Sequence, residues 1–162
     1  MWAWLHAEDG YTFSLNLAFL SVTVGMILLL ILAWLASGLA AGTELRRAAT
    51  SSALAAQLQV TQTVSGSTAG FLTSADWTVT AAADRTATQE FDREVADTHL
   101  NRAFSNLSLE TGIIGNQVTV TATGDFLPLF LQTAAARVSV LQALAVPMRV
   151  VAPVEYTVVG RG

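Results

Sequence analysis

The chain has 162 residues, no cysteine, and a formal net charge of −4 from 12 acidic and 8 basic residues. Its arginines are scattered, apart from Arg46–Arg47, and there is no lysine. Nucleic acid is excluded as a ligand, because a polyanion calls for a basic stripe; with no disulfide available, the fold must hold by packing alone.

The leader, residues 1–13 (MWAWLHAEDGYTF), has no Lys or Arg and carries Glu8 and Asp9. From Gly10 to Thr43 there is then no charge at all, and Leu15–Ala41 is almost wholly apolar. An uncharged apolar run of more than about 18 residues predicts a transmembrane helix. Roughly 25 residues of helix span nearly 40 Å, more than the ~30 Å hydrocarbon core requires, and tilt or protruding ends absorb the excess. A cleaved secretory signal would need a basic start and a shorter apolar core, so the expectation is an uncleaved, single-pass anchor in membrane lipid. Trp2, Trp4, Tyr11, Phe13 and Trp34 flank it, as interfacial aromatics do. Arg46 and Arg47 follow the span, and by the positive-inside rule taken alone they would hold the rest of the chain in the cytoplasm.

Beyond the span, TELRRAATSSALAAQLQ contains only good helix formers and no proline. The helix is therefore expected to run over residues 14–59. Leu45, Ala48, Ala49, Ser52, Ala55 and Ala56 give it a stripe of small residues and one leucine, which lets another backbone approach closely. Glu44 and Arg47, three apart, share one side. Gly25, Gly38 and Gly42 are the candidate helix-packing positions, the last two as a small-xxx-small pair.

Residues 60–162 are expected to form an α+β head. LQVTQTV alternates and predicts a strand, SGSTAG a turn, and WTVT a second strand. TATQEFDREVADTHLNRAFSNL predicts an amphipathic helix. Phe91, Val95, Ala96, Leu100, Ala103, Phe104 and Leu107 lie on its apolar face, and Thr86 with Gln89 forms its capping box. NQVTVTATGDF is a strand broken at Gly124–Asp125. FLPLFL is an edge strand or a loop pressed on the core, and RVSVLQALAV and MRVVAPVEYTVV are further strands. Pro128, Pro147 and Pro153 favour edges or bulges. The connections are mostly too short for helical crossovers, so the sheet is expected to be largely antiparallel.

No constellation for catalysis emerges. His6 and His99 have no second His or Cys at ligand spacing, and Glu90, Asp92, Glu94 and Asp97 spread around a helix where Arg93 and Arg102 can pair with them. There is no phosphate loop, dinucleotide fingerprint or G-x-S-x-G elbow. The expectation is a non-enzyme with no cofactor, no metal and no small-molecule substrate.

Three stretches taken together resemble a known family. These are the entry DGYTFSLNLAFLSV, the continuation ELRRAATSSALAAQ, and VTVTATGDFLPLF followed by VVAPVEYTV. In order and texture they resemble the TadE/TadG-like pilus-assembly proteins of tight-adherence systems, which are minor-pilin-like. The resemblance implies a long N-terminal transmembrane helix continuing into a stalk and then an α+β head facing outward. It also implies other pilin-like subunits, or copies of the chain itself, as partners. Gly10 and Tyr11 would flank a processing site. The pattern departs from pilins in that Glu8–Asp9, not basic residues, precede Gly10, and Leu15 stands fifth after it where pilins carry Glu. Two functions follow as expectations. One is a structural or assembly subunit of a cell-surface pilus or secretion apparatus. The alternative is a single-span protein whose β-rich head docks on an envelope complex without entering a filament, through exposed strand edges open to strand addition.

Overall fold

A computed structural model describes residues 3–66, 77–114 and 117–155. The architecture is α+β, with a long N-terminal helix, a second helix and a three-stranded antiparallel sheet. Helix α1 spans Ala3–Gly66 and α2 spans Trp77–Thr98. Strands β1 (Phe104–Ile114) and β2 (Gln117–Phe126) follow, then the short helix α3 (Leu129–Ala135), a 3-10 segment at Ser139–Leu144, and β3 (Val146–Glu155). The chain falls into two units, Met1–Ser37 and Gly38–Gly162, so the second half of α1 belongs with the sheet.

That second unit is built on alternation. Along β2, Val118, Val120, Ala122, Gly124 and Phe126 are buried while Thr119, Thr121 and Thr123 point to the other face. The strands run in the order β1-β2-β3, with Leu109 opposite Ala122 and Ala122 opposite Val150. The buried face is met by the helices. On α1 the fully buried positions are Leu45, Ala49, Ser52, Ala53, Ala56 and Val60, with Ala48 nearly so. They recur at three- and four-residue steps, the period of a helix face. Gly38 lies against Phe126 and Met148, Gly42 against Met148, and Gln57 Nε2 donates to the Glu155 carbonyl at 2.6 Å. From Gly38 to Gln57, α1 therefore runs in the same direction as β3. Ser51 Oγ donates to Glu90 Oε1 at 3.1 Å, tying α2 to α1, and α2 buries Ala83, Ala87 and Phe91.

Several elements differ from the sequence reading. LQVTQTV is the end of α1, because Val60 extends the buried stripe at helical spacing. WTVT opens α2. Threonine tolerates these helices by returning its hydroxyl to the carbonyl four residues back: Thr61 to Gln57, Thr86 to Ala82, Thr88 to Asp84 and Thr98 to Glu94. Thr86 is thus inside α2 and caps nothing. The helix stops earlier than its apolar pattern, at His99, whose φ of 56° is left-handed. Phe104 and Leu107 are in β1, where the Phe104 ring packs on Phe126 at 5.7 Å between centroids. A register irregularity between Ser105 and Ser108, with Asn106 at a φ of 54°, lets both Phe104 and Leu107 lie over Gly124. FLPLFL is no strand: Pro128 caps α3, its fixed φ suiting a helix start. RVSVLQALAV is mostly 3-10 helix. Pro147 and Pro153 do lie on an edge strand, β3. Tyr156–Val159 and most of SGSTAG lie outside the described residues.

Candidate functional site: an apolar helix with no internal cover

The first unit offers the chain's most distinctive chemistry. From Ser14 to Ser37 the helix carries no charge, and its most apolar stretch has none of its residues buried. Leu17, Phe19, Leu20, Val22, Met26, Leu28, Leu29, Leu30 and Leu32 are each more than half exposed and point in all directions around the axis. This is a helix long and apolar enough to cross a membrane. Two of its hydroxyls bond back to its own backbone. Thr23 Oγ1 donates to the Phe19 carbonyl at 2.8 Å and Ser37 Oγ to the Trp34 carbonyl at 2.9 Å, whereas the buried Trp34 Nε1 has no partner among the described residues.

The sequence-derived positions fall in different settings. A Cβ at Gly25 would meet nothing within 4 Å, so this position is free to face a neighbour or lipid. A Cβ at Gly38 would come 3.4 Å from Phe126 Cε1 and 3.7 Å from Met148 Cε, and one at Gly42 would come 3.8 Å from Met148 Sδ. The chain's own sheet therefore occupies the space beside Gly38 and Gly42. Gly10 and Tyr11 lie within α1.

Beyond the apolar segment, Arg46, Arg47, Thr43, Thr50, Ser51, Leu54 and Glu94 line a shallow groove between α1 and α2. Arg46 and Arg47 are exposed, and Glu44 does not meet Arg47: its Oε2 is buried without a partner. Among the described residues the one ion pair is Arg93–Asp97, at 3.9 Å on the surface of α2, which contributes little. No cluster of three or more His, Cys, Asp or Glu able to hold a metal ion occurs among the described residues. No family model matches the chain, nor does any curated protein or solved structure. What sequence reasoning missed is the apolar surface at the α3–3-10 connection. The alternation in RVSVLQALAV was visible, but it reads as a strand.

Proposed function

We propose that this chain is a pilin-like structural or assembly subunit, anchored in a membrane through Ser14–Ser37 and presenting its α+β unit outside the cytoplasm. One observation carries the reading. A single continuous helix serves first as an apolar rod with no cover of its own and then as the spine of a small sheet domain. An all-round apolar helix is stable only in lipid or among other apolar helices. Such a rod can pass from bilayer to helix bundle without refolding, since its backbone hydrogen bonds are internal in both settings. A subunit stored in a membrane and then assembled needs this property.

Cross-linking in native membranes through the rod, followed by fractionation of sheared surface filaments, tests the proposal. The expected result is rod-to-rod cross-links between copies or with related subunits, together with the chain in the filament or its assembly complex. A protein found only as an uncross-linked membrane monomer, its head bound to an envelope complex, would replace this reading with that of an anchored docking module. An N-terminus at Tyr11 would identify processing after Gly10; retention of Met1 would identify a permanent anchor.

A further inference from the structure

The connection between β2 and β3 carries an exposed apolar surface that the fold does not use. Leu129, Phe130, Val138, Val140 and Leu144 are all about half exposed or more, with Val140 at 75%. The surface is held in place: Gln132 Nε2 donates to the carbonyls of Leu127, at 2.9 Å, and Arg102, and Leu127 N donates to Ala103 O at 3.0 Å.

Its position is set by the topology. The connection joins Phe126 to Val146, which pair at one end of the sheet. That is the end at which Phe126 and Met148 meet Gly38, whereas Glu155 at the other end meets Gln57. The apolar connection thus lies at the Gly38 end of its unit, where the chain continues into Ser37 and the apolar rod. Counted from Leu15, about 20 residues of helix fill the hydrocarbon core and end near Trp34. Gly38, roughly 6 Å of helix rise further on, falls in the headgroup layer. The connection itself carries no acid to oppose this placement. From Leu127 to Met148 the sequence has no acidic residue and one basic one, Arg137, which is exposed, as is Arg102 nearby. The acids at this end are Asp125, whose Oδ2 accepts from Asn106 Nδ2 at 2.9 Å, and, in the last turns of α2, Glu94 and Asp97, the latter paired with Arg93.

We infer that the α3–3-10 connection is a second membrane contact. Its apolar side chains rest in the interfacial layer of the bilayer, with the exposed Arg102 and Arg137 at the level of the lipid phosphates. This inference rests on the anchored reading of the rod. It adds that the head lies on the membrane rather than standing clear of it. Such a contact fixes the head's orientation, and the head must leave the lipid when the rod is withdrawn.

The native sequence has no cysteine, so single labels are clean. The full chain is reconstituted in phosphatidylcholine–phosphatidylglycerol vesicles with an environment-sensitive fluorophore at Val140→Cys, Leu29→Cys or Glu155→Cys, and nitroxide lipids are added as quenchers. Val140 and Glu155 are exposed, so neither substitution disturbs the core; roughly 30 Å of strand rise separates the two ends of β3. The expected result is loss of Leu29 fluorescence to deep nitroxides, loss of Val140 fluorescence to shallow ones, and no loss at Glu155. Quenching at Leu29 but not at Val140 overturns the inference and leaves the anchor standing. A Val140 label that is shielded but unquenched, and that cross-links to a second copy, assigns the patch to a subunit contact and also overturns it. Absence of quenching at Leu29 removes the anchored reading, and the inference with it.

Discussion

Two arginines placed on the rod test whether lipid burial holds it. Leu28 and Leu30 are each 55% exposed and stand two residues apart, on different sides of the helix, so no single groove shelters both. Between Ser14 and Ser37 the sequence holds thirteen Leu, Ile, Val and Phe residues. At roughly −0.3 to −0.6 kcal/mol each, they favour insertion by about 4–8 kcal/mol. One Leu→Arg near the centre adds about 2.5–3.5 kcal/mol and forfeits the leucine's own share, a loss of about 3–4 kcal/mol. Leu28→Arg alone therefore leaves the balance on the side of insertion. Leu28→Arg with Leu30→Arg costs about 6–8 kcal/mol and cancels it. The assay is alkaline carbonate extraction followed by vesicle flotation. The native chain and the single variant are expected to stay with the vesicles, and the double variant to be released or aggregated. Equal retention of the double variant would refute the reasoning, because the rod would then be held by something other than the burial of these side chains.

Other outcomes follow from the packing of the head. Gly124→Val is expected to destabilise it by about 1–3 kcal/mol through overpacking, since a Cβ there already comes within 2.9 Å of Leu107 Cδ2 and 3.1 Å of Phe104 Cδ1. In thermal unfolding that is a fall of roughly 4–8 °C per kcal/mol for a domain of this size; Gly25→Ala, with open space around it, should leave the melting temperature unchanged. Leu45→Ala empties a fully buried site and should cost about 2–5 kcal/mol by chemical denaturation. Gln57→Ala removes one partly solvated hydrogen bond to β3 and should cost no more than about 1 kcal/mol.

The rod and the central strand were legible because each has an unmistakable pattern. The rod is long, uncharged and apolar all round, and NQVTVTATGDF alternates without exception until Gly124. The small-residue stripe of α1 was also legible, since five of its six positions are buried and Ala55 lies at its margin. The strand-like LQVTQTV and WTVT misled because β-branched residues mark strands only when packing leaves the choice open. Here Val60 is fixed by the face that begins at Leu45, and threonine hydroxyls find partners on their own helix. The end of α2 was hidden for a related reason. Leu100 and Phe104 are buried at the spacing of a continuing helix, yet they reach the core from a 3-10 turn and a strand. Gly38 and Gly42 read as a chain-to-chain pair because sequence spacing cannot reveal that Phe126 and Met148, more than eighty residues away, come to lie beside them.

The division of labour along α1 is most directly tested by a cysteine scan from Ser14 to Val60, read by a water-soluble maleimide in intact native membranes. The expected profile is unreactive at every position of the rod. It then oscillates at helical period, with reactive Thr43, Arg46, Arg47, Thr50, Leu54 and Leu58 alternating with silent Leu45, Ala49, Ser52, Ala56 and Val60. Uniform reactivity through Leu20–Leu32, or the same oscillation on both sides of Gly38, would contradict the account.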